Sequence, residues 1–333
     1  MHLVQNLLDV ATIEQKPTRN GYGEGLVKAG EADPNVVALC CDLTDSTRTQ
    51  LFKEKFPDRF IEMGVAEQNM ASVASGLAAV GKVPFIASYA MFSPGRNWEQ
   101  IRTTICYNES NVKIAGAHAG VSVGPDGATH QAIEDLAITR VIPTMTVLSP
   151  CDVEEARKAT IAAAKMKGPV YLRFAREKTP VFTTSETPFE IGKAQVFWDG
   201  PADNIDVAII GCGPLVHNAI LAAAKLEAEA IAVRVINNPS VKPMDVRTII
   251  EAAKAARAVV TVEEHQMAGG MGSAVAEILA QNCPVPIEFV GVADRFGESG
   301  EPAQLLEAFG LGVSHIVNVA KQVIERGKYL KKS

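Results

Sequence analysis

Two histidines and an aspartate lie in one glycine-rich segment of this 333-residue chain. The segment, GAHAGVSVGPDGATHQ, spans residues 116–131 and contains His118, Asp126 and His130. Imidazole and carboxylate groups can move protons or hold hydroxyl groups, so the segment is a candidate catalytic loop. The alternative is a structural turn in which both histidines bond backbone carbonyls. A metal site is not expected in this chain, because no further His or Cys lies at a ligand spacing.

A glutamate provides the second candidate. The segment GVAEQNM at residues 64–70 predicts a helix whose first turn contains Glu67. This helix continues to about residue 80 with almost only apolar or small residues, so we expect it to be buried. Because burial favours the neutral form of a carboxyl group, Glu67 could stay protonated and donate a hydrogen bond. The alternative is a carboxylate that only complements the helix dipole.

Two aromatic residues, Tyr89 and Phe92, are the third candidate. They follow a predicted strand at residues 84–87. Flat rings at the end of a strand can form a pocket for a planar ligand. Aromatic residues at this spacing can equally belong to the hydrophobic core, and the pattern leaves both interpretations open.

The elements that must position these residues alternate along the chain. Short strands are predicted, with helices between them, at residues 36–40, 60–62, 84–87, 112–116, 145–148 and 170–174, and most of them are apolar. Buried strands that alternate with helices indicate a parallel sheet covered on both faces. In an open parallel sheet, the loops at the carboxyl ends of the strands line the ligand crevice, and the three candidates all follow predicted strands.

A second α/β unit is predicted after residues 177–205, whose Pro, Thr and Gly content is typical of a linker. Its strands are expected at 206–210, 231–236, 258–262 and 287–292, and its helices at about 215–226, 245–256, 273–280 and 315–326. We therefore predict two parallel-sheet α/β domains, at residues 1–190 and 191–333.

Three segments of the second unit could also bind ligands. Gly211-Cys212-Gly213 follows a strand, like part of a dinucleotide-binding fingerprint, but Val216 stands where the third glycine belongs. The amides of Gly269-Gly270-Met271-Gly272 could bind an anion at the start of a helix, although a tight turn also explains these glycines. The segment Thr261–His265 could form an interface or a small ion site, or have only a structural role.

The composition limits the compartment and the partners. Hydrophobic residues make up 47% and charged residues 21% of the chain, as in globular proteins, and the net charge is −6. An acidic chain argues against nucleic-acid and anionic-membrane partners. The six cysteines are scattered without a Cys-x-x-Cys pair, and the N-terminus has no signal-peptide pattern. We therefore expect a cytoplasmic protein with reduced thiols.

Taken in order, these segments resemble the transketolase family. GVAEQNM is similar to the family's glutamate helix, and ASYAMF at residues 87–92 is similar to its aromatic cradle. Residues 118–131 are similar to the family's loop of pattern His…Gly-x-Asp-Gly-x-Thr-His-Gln. Further matches are Pro17-Thr18-Arg19, residues 42–46 and Ala175-Arg176. The resemblance covers essentially the whole chain, as the family's pyrimidine-binding and C-terminal domains.

The resemblance implies thiamine diphosphate as the cofactor. Glu67 would hydrogen-bond the aminopyrimidine ring and so help the cofactor to lose the proton on its thiazolium carbon. Tyr89 and Phe92 would stack on the pyrimidine. The family commonly has a third aromatic residue where Gly95 stands here, so the cradle would be looser or completed by another group.

The resemblance also implies a sugar-phosphate substrate. Asp126 would hold a hydroxyl group of the ketose, and His130 would lie beside the reacting carbonyl; His118 would belong to the same catalytic set. Four residues would grip the phosphate by charge-assisted bonds: Arg19, Ser46, His118 and Arg176. The implied reaction is the reversible transfer of a two-carbon ketol unit from a ketose phosphate to an aldose phosphate, in pentose phosphate metabolism.

The sequence contains no Gly-Asp-Gly motif, which the family uses to bind the diphosphate and its metal. We therefore expect the C-terminal subunit of a split transketolase, active only with an N-terminal subunit that holds the diphosphate and Mg²⁺ or Ca²⁺. The two chains would form a dimer of heterodimers, which is a heterotetramer. The alternatives are a subunit like deoxyxylulose-phosphate synthase, one like the β subunit of 2-oxoacid dehydrogenases, or a non-catalytic relative.

Overall fold

The computed structural model describes residues 2–200, 205–256 and 258–330. The strands of the first part of the chain are β1 (Gln15–Pro17), β2 (Val36–Cys40), β3 (Phe60–Glu62), β4 (Val83–Tyr89), β5 (Lys113–Ala117), β6 (Thr146–Leu148), β7 (Val170–Arg173) and β8 (Lys178–Pro180). The helices of this part are α1 (Thr18–Ala32), α2 (Gln50–Lys55), α3 (Glu67–Ala79), α4 (Trp98–Gln100), α5 (Asp135–Arg140) and α6 (Val153–Lys165). A π-helical segment, Ile101–Cys106, continues α4.

The second part of the chain repeats the alternation of strands and helices. Its strands are β9 (Gln195–Asp199), β10 (Val207–Gly211), β11 (Val233–Asn237), β12 (Ser240–Lys242), β13 (Val259–Gln266) and β14 (Ile287–Val292). Its helices are α7 (Leu215–Glu227), α8 (Val246–Ala255), α9 (Met271–Asn282), α10 (Pro302–Ala308) and α11 (Val313–Leu330).

The larger sheet has the strand order β12-β6-β7-β5-β4-β2-β3. Its strands from the first part of the chain run parallel to one another. A central strand such as β2, with sequence VVALC, is buried at every residue, as expected when helices cover both faces of a parallel sheet. The edge strand β12 comes from the second part of the chain and runs antiparallel to β6.

The smaller sheet has the strand order β14-β13-β10-β11-β9. β10, β11, β13 and β14 run parallel, whereas the edge strand β9 runs antiparallel to β11. The predicted fold class, a mixed α/β protein with mainly parallel sheets, is therefore confirmed. The division at residues 190 and 191 stays a prediction. The strands of the larger sheet lie before it, except β12, which comes from the second part of the chain.

The prediction of a linker at residues 177–205 is wrong for part of that range. β8 pairs with β1, with Pro180 opposite Gln15, and β9 forms an edge of the smaller sheet. Both strands depend on partners that are distant in the chain, so their own composition does not reveal them. Residues 201–204 of the predicted linker lie outside the described residues.

Helix α3 is buried on one face only. Met70 and Ala74 are buried against the sheet, whereas Ser72 and Gly76 are exposed. The expected burial is therefore confirmed for the face that contains Glu67, Met70 and Ala74, and the other face is exposed in this chain. Its apolar and small residues would be covered on every side only if another chain packed against the outer face.

Two findings concern the thiols and the membrane. All six cysteines are free, and five of them are buried while Cys283 is half-buried. This agrees with the expected reduced thiols. Within the described ranges, no helix combines the length and the apolar character needed to cross a membrane.

Candidate active site

Four neighbouring parallel strands bring most of the predicted site residues together at the carboxyl ends of the strands of the larger sheet. Their order is β7-β5-β4-β2, and the register places Tyr89 opposite Ala117 and Gly116 opposite Arg173. The loops that follow these strands therefore meet at the carboxyl ends, where open parallel sheets bind ligands. These loops and the start of α3 form the candidate active site.

Glu67 begins α3 and is 2% exposed. Its Oε1 atom lies 3.5 Å from the Ser88 hydroxyl, which is a long hydrogen bond. Its Oε2 atom lies 3.9 Å from Arg96 Nε, but no donor among the described residues makes a hydrogen bond to it. A buried oxygen without a hydrogen bond costs free energy, so this carboxyl group is suited to a ligand that supplies the missing partner.

Four rings lie next to one another after β4 and β5. Tyr89 and His118 stack with centroids 3.8 Å apart, and Tyr89 and Phe92 lie at 19° to each other with centroids 6.0 Å apart. His130 meets Tyr89 and Phe92 edge-on, at 6.0 and 5.5 Å. Tyr89 and Phe92 are half-buried rather than part of the core, so this ring cluster can stack with a planar ligand.

Gly95 leaves no room for a third aromatic residue at that position. A Cβ atom there would lie 1.9 Å from the Met91 carbonyl oxygen. No side chain fits so close to a packed backbone unless the backbone moves. The two histidine rings lie beside Tyr89 and Phe92 instead.

His118 is 1% exposed, and its backbone has a φ of 56°. Its Nε2 atom lies 3.2 Å from Arg19 Nη1. Because a guanidinium only donates, Nε2 accepts, and we assign the ring proton to Nδ1, which no described residue contacts by a hydrogen bond. Burial, together with the charges of Arg19, Arg176, His130 and Arg48, lowers the pKa of His118 to about 3. The ring is therefore neutral near pH 7 and presents an N–H to a ligand.

A cationic pocket lies at the same end of the sheet and contains Arg19, Arg48 and Arg176. Arg19 Nη1 donates to the Ser46 carbonyl at 2.7 Å, and Arg176 Nη1 donates to the Val123 carbonyl at 3.0 Å. Arg19 Nε is buried and has no partner in the described part of the chain. Burial lowers the pKa of Arg19, and the charges of Arg48 and Arg176 lower it further. Three like charges favour an anion here, and forked guanidinium groups suit a phosphate.

Arg48 is a pocket residue that the sequence-based prediction missed. It lies in the loop after β2, has a φ of 67°, and donates from Nε to the Asn20 side chain at 2.9 Å. Asn20 follows Arg19 in the first turn of α1, so this bond holds Arg48 near the Arg19 guanidinium. The ion pair between Arg176 and Glu177 offsets one charge of the pocket, and Arg48 restores the positive excess.

Asp126 and His130 occupy different surroundings. Asp126 is exposed on the turn between Gly124 and Gly127, whose φ values of 85° and 73° suit glycine. His130 is half-buried, and its Nδ1 atom lies 2.9 Å from the Thr129 hydroxyl. The structure therefore brings His130 into the ring cluster and leaves Asp126 at the rim of the site.

The second part of the chain holds the loop of residues 118–131 from the other side. Glu264, near the end of β13, accepts a hydrogen bond from the Ser122 amide at 2.6 Å. Gln131 Nε2 donates to the Glu298 carbonyl at 2.9 Å. The sequence-based prediction left open whether the segment around Glu264 forms an interface, an ion site or a structural element. These contacts place it at an internal interface behind the candidate active site.

These groups match one part of a cofactor site. A buried carboxyl oxygen that no described residue hydrogen-bonds, near flat rings, fits a planar base with a ring nitrogen, and guanidinium groups fit a phosphate. Among the described residues, no group of three or more His, Cys, Asp or Glu side chains is arranged to hold a metal ion.

Two family matches cover most of the chain. Residues 14–181 match the family described as transketolase, pyrimidine binding domain, and residues 199–316 match transketolase, C-terminal domain. A transketolase C-terminal section from Methanocaldococcus jannaschii is 41% identical over 94% of this chain and 97% of its own length. A 6-deoxy-6-sulfo-D-fructose transketolase subunit from Clostridium sp. is 38% identical over 95% of this chain and 97% of its own length.

A solved structure agrees with these matches. A split gene transketolase, described as an inactive beta4 tetramer, superposes with a TM-score of 0.86 at 45% identity, over 93% of this chain and 98% of its own. The family matches thus place the chain in the thiamine-diphosphate class of enzymes, with a pyrimidine-binding domain. Within that class, the chain belongs to the transketolase family, which confirms the resemblance seen in the sequence.

Proposed function

We propose that this chain is the C-terminal subunit of a split transketolase. With an N-terminal subunit it would transfer a two-carbon ketol unit reversibly from a ketose phosphate to an aldose phosphate, in pentose phosphate metabolism. The observation that carries the proposal is the buried Oε2 atom of Glu67, to which no described residue makes a hydrogen bond, at the same end of the sheet as the ring cluster and the cationic pocket. The free, mostly buried thiols support a reducing, cytoplasmic compartment.

This chain would bind the pyrimidine half of the cofactor. Thiamine diphosphate supplies a nucleophilic thiazolium carbon for ketol transfer. Glu67 would pair through Oε2 with the ring nitrogen of the aminopyrimidine, and so gain the hydrogen bond that the chain alone leaves unmade. Tyr89 and Phe92 would stack on the same ring and hold it at this depth.

The cationic pocket would hold the phosphate group of the substrate. Arg19 Nε and the Nδ1–H of His118 would donate to phosphate oxygens, because both lack partners among the described residues. The full phosphate-binding set would be Arg19, Ser46, Arg48, His118 and Arg176. His130 would lie beside the reacting carbonyl, and Asp126, at the rim, would hold a ketose hydroxyl.

The N-terminal subunit would hold the diphosphate and Mg²⁺ or Ca²⁺. Helix α3 supports a partner at this place, because its composition predicts burial, yet Gly76 and Val80 are exposed. Val65, just before the helix, is also exposed. Covering apolar surface with a second chain gains free energy. We propose two copies of each chain in a dimer of heterodimers; the related tetramer of one chain type is described as inactive.

A second candidate has one observation in its favour. The relative from Clostridium sp. is named for a sulfonated sugar. A sulfonate carries a single negative charge, whereas a phosphate ester near neutral pH carries nearly two. The positive excess of Arg19, Arg48 and Arg176 favours the more highly charged group, so we place the sugar phosphate first.

Reconstitution tests the proposal. This chain would be mixed with the N-terminal subunit, thiamine diphosphate and Mg²⁺, and assayed with xylulose 5-phosphate and ribose 5-phosphate. We expect turnover by the pair and none by either chain alone. Turnover by this chain alone would contradict the split. A pair that consumes pyruvate but not sugar phosphates would contradict the substrate, and faster turnover of the sulfonated sugar would select the second candidate.

A further inference from the structure

A buried carboxylate from the second part of the chain holds the catalytic loop, residues 118–131. Glu264 is 4% exposed, and its Oε1 atom accepts the Ser122 amide at 2.6 Å. The two residues are 142 positions apart in the sequence. This short hydrogen bond joins the loop of the larger sheet to the end of a strand of the smaller sheet.

The loop is shaped around this carboxylate at Gly120. A Cβ atom on Gly120 would lie 2.3 Å from Glu264 Oε1 and 2.4 Å from its Cδ. The φ of Gly120 is 92°, which glycine adopts without strain. The backbone between His118 and Ser122 thus approaches Glu264 as closely as a residue without a side chain allows.

Glu264 is itself held in a buried polar network. Arg173 Nη2 donates to the Glu264 carbonyl at 2.8 Å, and Arg173 Nε donates to Asp135 Oδ2 at 2.9 Å. The Tyr171 hydroxyl donates to the same Asp135 oxygen at 2.7 Å. Burial raises the pKa of Glu264, whereas Arg173 and the Ser122 amide lower it. Arg173 therefore links the Glu264 backbone to buried Asp135, and connected hydrogen bonds of this kind hold in place the strand end that carries the Glu264 carboxylate.

The far end of the loop has a second contact with the same part of the chain. Gln131 Nε2 donates to the Glu298 carbonyl at 2.9 Å, and also to the Val121 carbonyl inside the loop at 2.9 Å. Gln131 directly follows His130, and Ser122 lies four residues after His118. Each histidine of the ring cluster is therefore close to a point where the second part of the chain holds the loop.

We propose that Glu264 is a positioning residue, which fixes the loop that carries His118 and His130. The C-terminal part of the chain then sets the geometry of the active site instead of only packing against it. The expected effect on rate rests on the proposed transketolase function, whereas the expected effect on the loop does not. A displacement of about 1 Å in positioned groups costs roughly 100-fold in rate.

Glu263 offers a matched control on the same strand. It is 2% exposed, and its carboxylate oxygens accept the Met271 and Gly272 amides, both at 2.8 Å. Like Glu264, it is a buried glutamate bound to backbone amides, but it holds the start of α9. A general loss of stability affects both alanine variants, whereas a loss of loop positioning affects only Glu264→Ala.

The kinetic experiment compares Glu264→Ala, Glu264→Gln and Glu263→Ala in the reconstituted pair. Glu264→Ala should lower kcat/KM for sugar phosphates by roughly 30- to 100-fold. Glu264→Gln keeps an acceptor oxygen for the Ser122 amide, so it should stay within about 3-fold of the wild type. Glu263→Ala should keep wild-type kinetics. If Glu264→Ala does not fold, Glu264→Asp, which withdraws the carboxylate by one methylene, should lose about 10-fold.

Amide hydrogen exchange tests the positioning role of Glu264 without depending on the proposed enzyme activity. In the full-length chain, exchange at residues 118–124 should accelerate about 10-fold in Glu264→Ala and not in Glu263→Ala. An inactive wild-type pair would overturn the proposed function and leave this measurement valid. Unchanged exchange and unchanged kcat/KM in a folded Glu264→Ala protein would overturn the role of Glu264, and so would an equal kinetic loss in Glu263→Ala.

Discussion

Two glycine-rich loops follow parallel strands in this molecule, and they differ in what their polar atoms contact. The first follows β5 and carries His118 and His130. The second, at residues 267–272, connects β13 to α9. The sequence alone is compatible with a ligand at either loop, because glycines after a strand permit close approach to an anion or a cofactor.

The backbone amides at the end of the second loop form hydrogen bonds within this chain. Glu263 accepts the amides of Met271 and Gly272 at the start of α9, where an anion would otherwise bind. A Cβ atom at Gly270 would lie 2.3 Å from Glu263 Oε2, so the glycine is required by this close approach. The interpretation as a tight turn therefore holds for this loop.

The first loop lies among polar atoms that are buried and unpaired. Glu67 Oε2, Arg19 Nε and His118 Nδ1 have no hydrogen-bond partners in the described ranges. Because leaving such atoms unpaired costs free energy, they indicate a ligand rather than a structural turn. Glycine content therefore does not distinguish a ligand-binding loop from a structural turn. The hydrogen bonding of the buried polar atoms distinguishes these two loops.

Removal of Arg19 should have the largest effect on substrate affinity, because Arg19 contributes a buried charge beside the first loop. Arg19→Gln deletes a charge and the unpaired Nε–H, and charge-assisted bonds contribute about 1.5–3 kcal/mol each. We expect KM for the ketose phosphate to rise by roughly 10- to 100-fold, with a smaller change in kcat. Steady-state kinetics of the reconstituted pair measures this.

A graded variant controls for general damage to the pocket. Arg48→Gln should raise KM only several-fold, about 1 kcal/mol, because Arg48 also bonds Asn20 and contributes mainly charge. An Arg48→Gln protein with a larger defect than Arg19→Gln would contradict this order.

The next largest effect is expected from His118, in the pH dependence of the unfolding free energy. The folded chain keeps His118 neutral down to about pH 3, whereas the unfolded chain takes up a proton near pH 6.5. The unfolded state binds more protons between these values, so stability from this group is present above pH 6.5 and is lost as pH falls. Between pH 7 and pH 5 the wild type should lose about 2 kcal/mol more than His118→Gln in denaturant unfolding. Equal losses would show that His118 titrates normally.

Substitution of Glu263 should give the smallest change, and it tests the structural role of the second loop. Glu263→Gln keeps the shape but removes the charge that the α9 amides bind, which should lower the unfolding free energy by about 1 kcal/mol. KM and kcat of the reconstituted pair should not change. A kinetic defect without a stability defect would place this loop in the active site and remove the distinction.

Much of the fold was predictable because its patterns are local. The helix expected at about 215–226 is observed as Leu215–Glu227, and the strand at 287–292 was placed at its observed bounds. The strands β9 and β12 were not predicted, because each is stabilised by pairing with a strand distant in the chain. No local period records such a partner.

The candidate active site likewise contains residues that local patterns predict and residues that depend on distant contacts. Glu67, Tyr89 and His118 lie in short segments whose residue types already suggest chemistry. Arg48 joins the pocket only through a positive φ and a bond to α1, although a further arginine in a matched loop was an available signal. Glu264 reaches the catalytic loop across 142 positions, which no short motif can show.

We propose that Glu67 activates the cofactor, and exchange of the thiazolium carbon proton measures that activation. In the reconstituted pair, exchange of the thiazolium carbon proton of thiamine diphosphate with deuterium can be followed by acid quench and NMR. We expect the wild type to exchange at least about 100-fold faster than Glu67→Gln, because the amide replaces the carboxyl group that pairs with the pyrimidine. Glu263→Gln should exchange at the wild-type rate. Equal exchange rates in the wild type and in a folded Glu67→Gln protein with bound cofactor would contradict the claim.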